Sequence, residues 1–106
     1  MSARDVFTAI ADPTRRAILD LLREDGALPA GDIAERFAEN SRPGVSRHLR
    51  VLRECGLVAA RQDGKNQIYE LNAKPLRALH KGWLAHFADM QTGSIAALRR
   101  RVEPKK

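Results

Sequence analysis

Between Arg42 and Cys55, three apolar residues, Val45, Leu49 and Leu52, fall in one narrow sector of a helix that turns about 100° per residue. Helical winding buries all three on one side. The segment is punctuated at both ends. Ser41 supplies a capping hydroxyl, Pro43 suits a first turn, and Gly56 suits a C-terminal stop. Away from the apolar sector the chemistry is almost wholly that of donors. Gly44, Ser46, Arg47 and Arg50 occupy the helix start and the opposite side, Arg42 and His48 lie at the margins, and no Asp or Glu occurs until Glu54. Any fold containing this helix must cover one side of it and leave the other open.

The flanking segments supply the cover. Val6, Phe7 and Ile10 follow helical spacing up to Asp12-Pro13, where Asp caps and Pro opens a second helix over roughly Pro13 to Glu24. There Ile18, Leu21 and Leu22 share a face, and Asp25-Gly26 supplies the stop. Ile33, Ala34 and Phe37 suggest a shorter third helix, with Pro29 standing where a capping hydroxyl is expected. Beyond Gly56, Leu57 to Gln62 and Gln67 to Leu71 have strand lengths and flank Asp63-Gly64, a pair favoured in tight hairpin turns. From about Lys74, Leu76, Leu79, Trp83, Phe87 and Met90 form an apolar stripe that continues through Ile95 and Leu98. It predicts a long final helix, weakest at Gly82 and Thr92-Gly93. The expected fold is mainly α with a small β-hairpin. Short helix, sharp turn, helix and hairpin over residues 30 to 71 form the order of a winged helix-turn-helix. Neither a repeat nor a linker interrupts it, so residues 1–106 read as a single domain.

Composition narrows the partners. The chain has 106 residues and a formal charge of +6, with a sequence pI of about 10.2, a balance that favours polyanions. One cysteine, Cys55, allows no intrachain disulfide and suits a reducing compartment, so a cytoplasmic protein is expected. Its place beside the Gly56 stop reads as a packed, unreactive thiol. Met1 to Asp12 lacks the apolar core of a signal peptide, and no stretch approaches the roughly 18 apolar residues of a membrane span. At 5% aromatic residues, a stacking platform for single strands is poorly supplied.

An exposed helix of this diameter fits the major groove of double-stranded DNA, where Arg donates a bidentate pair to guanine. Arg47 is the first choice for base readout and Arg42 the second. Ser46 and Arg50 suit phosphates that fix the register, His48 can bond to either, and Gly44 allows close backbone approach. Arg61, Lys65 and Asn66 bracket the hairpin turn as a wing beside the groove. The bland alternatives are a solvated basic face and an edge hairpin kept soluble by charge. Catalysis is not expected: Ser46 and His48 lie on different faces of one helix, no carboxylate orients the histidine, and no phosphate-binding glycine motif occurs. No cofactor is called for.

Several segments are familiar in order and spacing: Ala11-Asp12-Pro13-Thr14-Arg15-Arg16-Ala17-Ile18-Leu19, then residues 42–54 followed by Gly56-Leu57-Val58, Gly64-Lys65, Ile68-Tyr69-Glu70-Leu71-Asn72, and Trp83-Leu84. Through them the chain resembles the ArsR family of winged-helix repressors. The resemblance implies a homodimer built from the first and last helices, about residues 3–11 and 74–101, that binds a palindromic operator until a signal releases it. A final helix from Pro75 to Arg101 would span roughly 40 Å, more than a chain this size needs to cover its own core. Val6, Phe7, Ile10, Trp83, Leu84, Phe87 and Met90 are the candidates for the dimer contact, and each also suits an intrachain core. Two-fold symmetry would set the reading helices about 34–36 Å apart on an inverted repeat.

Departures from the family pattern bear on the signal. Where the resemblance places a cysteine pair in arsenic and antimony sensors, this chain reads Leu28-Pro29-Ala30-Gly31-Asp32. Where zinc sensors carry Asp, His and Glu on the last helix, it offers Ala78 and His80, then Gln91 where a second His is expected. His80 and His86 lie about 240° apart on a helix and cannot readily chelate one ion together. The metal-independent branch is the one implied, with no metal site and no inducer named. Two alternatives stand beside it: a winged-helix module for acidic protein partners, and a metal-responsive repressor with a non-standard site.

Overall fold

Asp5 starts the first helix, α1 (Val6–Ala11), by accepting the Thr8 backbone N–H at 2.8 Å. The computed structural model describes residues 5–87, and its contacts divide the chain into two compact units, Met1–Pro75 and Leu76–Lys106. In the first unit Asp12 both ends α1 and caps α2 (Pro13–Asp25), accepting the Arg15 backbone N–H at 3.0 Å. So short a helix leaves its last carbonyls without partners. Here two arginines answer them: Arg15 donates to Thr8 O and Ala9 O, and Arg16 to Ile10 O and Ala11 O.

α2 ends at Gly26, whose φ of +82° is open to glycine and strained for most other residues. Next comes an element with no sequence signal, the two-residue strand β1 (Leu28–Pro29). It is too short to show periodicity and exists through pairing with a distant strand. α3 (Ala30–Arg36) follows without a side-chain cap, as Pro29 predicts. A turn over residues 37–41 leads to α4 (Arg42–Glu54), capped by Ser41 Oγ on the Gly44 N–H at 3.0 Å. α4 closes through a Schellman pair: Gly56 N donates to Arg53 O and Leu57 N to Leu52 O, with Gly56 at φ +77°.

β2 (Val58–Asp63) and β3 (Asn66–Leu71) form the hairpin. Both strands run one residue closer to the turn than expected. Asp63 pairs with Asn66, so the turn residues are Gly64-Lys65 rather than Asp63-Gly64. Gly64 alone of the pair has positive φ, +64°, the sign pattern of a II′ turn, which places glycine first. β1 adds to the other edge of β3, Leu28 opposite Tyr69 and Pro29 opposite Ile68. The expected two-stranded hairpin is therefore a three-stranded antiparallel sheet in the order β1-β3-β2.

Ile18, Ile33, Val45, Leu49, Leu52 and Leu57 are completely or almost completely buried and form the centre of the core. It joins α2, α3, α4 and the sheet. Val45, Leu49 and Leu52 are the three inward residues expected of α4; Val51 is buried as well, about 100° round the helix from Leu52. At the foot of the sheet Asn72 donates from its backbone to Leu57 O and from its side chain to Gly56 O.

α5 (Lys74–Leu79) carries the chain into the second unit and passes into a π-helical turn at His80–Leu84. Gly82 lies in that turn, where a residue of poor helix preference concedes the wider winding. Trp83 and Phe87 sit edge to face, with centroids 4.6 Å apart. Met90, Ile95, Leu98 and the Thr92-Gly93 weak point lie outside the described residues, as does the continuation of the final helix.

Candidate nucleic-acid interface

α4 is held from beneath by α2, α3 and β2, and its outer side is open. Arg42, Ser46, Arg47 and Arg50 are exposed there. Among the described residues, Arg42, Arg47 and Arg50 have neither an ion pair nor a hydrogen bond from the side chain, whereas Arg36 and Arg23 are paired with acids. A face of cations without internal partners keeps its donors for an outside acceptor.

Gly44 has a local reason to lack a side chain. A Cβ there would lie 3.2 Å from Ser41 Oγ, crowding the hydroxyl that caps α4. His48, another expected site residue, is partly buried and lines the hollow beside Arg47 and Arg50. Its side chain is 20% exposed, with Nδ1 3.3 Å from Arg15 Nη1 and 3.9 Å from Asp12 Oδ2. Guanidinium nitrogens only donate, so Nδ1 accepts this bond when the ring is neutral, whereas a charged ring attracts the Asp12 carboxylate. The Asp12 carboxylate of the α1–α2 junction lies beyond hydrogen-bond reach of the ring. Partial burial pushes the Asp12 carboxyl up, but the Arg15 backbone N–H and the His48 and Arg15 side chains outweigh it and hold it below its ordinary value.

Arg15 is the residue that sequence reasoning left without a role. Its motif was conspicuous, but the contacts that matter come from three separate elements. With Asn40, Ser41, Arg47 and Arg50 it lines a cleft of about 470 Å³ between α2 and α4. On the hairpin, Arg61 is exposed on β2, Lys65 occupies the turn, and Asn66 opens β3. Gln62 Nε2 donates to Gly64 O at 3.0 Å and braces the turn.

The candidates for the dimer contact are placed as follows. On α1, Phe7 is 48% exposed while Val6 and Ile10 are half-buried. In the second unit Trp83 is 54% exposed, and Leu84 and Phe87 are exposed with it. Cys55 is half-buried, its thiol donating to Asp5 O at 3.2 Å. No helix among the described residues is long and apolar enough to cross a membrane.

Helix, turn, helix and basic hairpin, with an open cationic face on the second helix, define a DNA-binding transcriptional regulator of the winged helix-turn-helix class. A helix-turn-helix domain model matches residues 10–61. The transcriptional repressor SdpR of Bacillus subtilis is 42% identical over 83 residues, 78% of this chain and 89% of that protein. The arsenical resistance operon repressor of Escherichia coli is 42% identical over 67 residues, 63% of this chain and 56% of that one. Among solved structures, an ArsR-like transcriptional regulator from Rhodococcus superposes with a TM-score of 0.67 at 28% identity, covering 92% of this chain and 89% of its own. The chain belongs to the ArsR family of transcriptional regulators.

Proposed function

We propose that the protein is a repressor that acts as a homodimer on an inverted-repeat operator in double-stranded DNA. The observation that carries this reading is the outer face of α4, where three arginines without internal partners stand with Ser46 and no acid until Glu54. α4 enters the major groove, Arg47 reads base edges with Arg42 beside it, and Ser46 and Arg50 hold phosphates. The wing residues Arg61, Lys65 and Asn66 follow the adjacent backbone. Repression is supported by the roles of relatives, SdpR and the Escherichia coli protein both being repressors.

Dimerisation through the first and last helices is supported by exposed aromatic residues on each of them, Phe7 on α1 and Trp83 and Phe87 in the second unit. The whole chain then serves as one winged-helix domain, with a DNA-reading core over residues 30 to 71. Selection of sites from a random duplex library tests the proposal. The expected product is a palindrome whose half-sites are centred about 10 base pairs apart. Enrichment of nothing above background at low salt would rule the reading out.

A further inference from the structure

The cleft between α2 and α4 brings together side chains that no single segment of the sequence announces. Arg15, Arg47 and Arg50 line it with His48 and Ser41, and Glu39 is the acid on its wall. Three permanent positive charges against one carboxylate give the hollow a cationic balance. Arg15 is unusually well fixed for a surface arginine. Nε donates to Ala9 O at 2.8 Å, Nη2 to Thr8 O at 3.0 Å, and Nη1 to His48 Nδ1 at 3.3 Å. Each terminal nitrogen carries a second hydrogen that none of these bonds uses. Ser41 spends its oxygen as an acceptor on Gly44 N–H, which leaves its own O–H to donate. Held donors converging on a hollow suit an acceptor with several oxygens and a full negative charge.

We propose, on the DNA-binding reading above, that this cleft seats one phosphate of the DNA backbone and that Arg15, from outside the helix-turn-helix, is a direct contact. The shared wall explains why a backbone phosphate fits. Arg47 and Arg50 are neighbours one turn apart on α4, so a phosphate held at Arg15 and Arg50 fixes how far the Arg47 side chain advances toward the bases. His48 is then a positioning residue: it holds Arg15 and does not touch DNA. Asp12 steadies the same corner through the Arg15 backbone N–H.

The test scans a duplex obtained by selection with single methylphosphonate replacements, each removing the charge of one phosphate. The wild-type protein is expected to lose about tenfold in affinity at one position per half-site that is contacted through the cleft. Arg15→Gln binds the unmodified duplex about tenfold more weakly and becomes insensitive to that one replacement while remaining sensitive to the others. Arg15 also holds α1, so Arg50→Gln, which breaks no described internal bond, provides a second variant and is expected to mask the same position. Circular dichroism checks that both variants remain folded.

A selected duplex with no masked position for either variant overturns the seat while leaving the DNA reading intact. Uniform weakening by Arg15→Gln at every position does the same, assigning Arg15 a purely structural role. Binding of inorganic phosphate to the protein alone, lost in Arg15→Gln, together with an unmasked scan, overturns it in favour of a free phosphate-bearing solute. Failure of the wild-type protein to enrich any duplex sinks both the seat and the reading beneath it.

Discussion

Arg15 Nη1 donates to His48 Nδ1 across 3.3 Å, so a side chain of α2 that already grips two carbonyls of α1 also grips α4. One guanidinium therefore fastens three helices. His48→Ala is expected to cost about 0.5–1.5 kcal/mol, the net worth of a partly buried hydrogen bond. Urea unfolding monitored by circular dichroism measures it, and an unchanged midpoint would show that the bond is lost to water at no cost.

Reading and holding are expected to separate by mutation. Arg47→Ala should relax sequence preference at one base position, a loss of about 1–3 kcal/mol on the preferred duplex and little on others. Lys65→Ala should weaken all duplexes alike and reduce the salt slope by about one. Titrations at several salt concentrations distinguish the two. Equal loss on every duplex for Arg47→Ala would remove its base-reading role.

Much of this interface is legible from residues alone because its determinants are local. Ser41, Pro43 and Gly56 mark α4 within a single stretch, and the periodicity of Val45, Leu49 and Leu52 fixes which side faces in. Asp12-Pro13 marks the α1–α2 junction for the same reason. What escapes is non-local. β1 is two residues long and exists because β3 offers an open edge. The hairpin turn moves by one residue because pairing carries Asp63 into the strand and leaves Gly64 to supply the positive φ. Arg15 and His48 lie in segments 33 residues apart, and no spacing rule on either helix predicts that they meet.

Acid should loosen the fold through its two helix-capping aspartates. The Thr8 backbone N–H, with a Thr8 side-chain bond, holds the Asp5 carboxyl below its ordinary 3.8. Asp12, pushed up by burial but pulled down further by Arg15 and His48, also sits below 3.8. A carboxyl easier to ionise in the folded chain adds stability that is complete above the ordinary value and lost as pH falls through the lowered folded value. Urea midpoints should be flat above about pH 5, fall below about pH 4, and fall less steeply in Asp12→Asn. A midpoint that rises on acidification would contradict both assignments.

The centre of the core sets the largest expected effect. Leu52 is fully buried, and Leu52→Ala should cost about 2–5 kcal/mol, through lost burial and the cavity left behind. Ser41→Ala should cost only about 1 kcal/mol, the usual worth of a helix cap. Chemical denaturation of the two variants checks the ranking, and a larger loss at Ser41 would reverse it.

Association is expected to depend on the exposed rings of the second unit. Trp83→Glu should shift the mass in sedimentation equilibrium from twice the 11.8 kDa of one chain to that of a single chain. It should also weaken binding to a selected palindrome far more than to a single half-site. A wild-type protein that sediments as one chain would end the dimer proposal.

The two bonds from Asn72, to the carbonyls of Gly56 and Leu57, bear on how the molecule measures DNA. They tie the root of the hairpin to the closing turn of α4, which opposes a separate swing of rod and wing. On the proposed reading, the gap between them would serve as a gauge. Duplexes would then be sorted partly by whether their groove width matches that jaw, before any individual base is inspected.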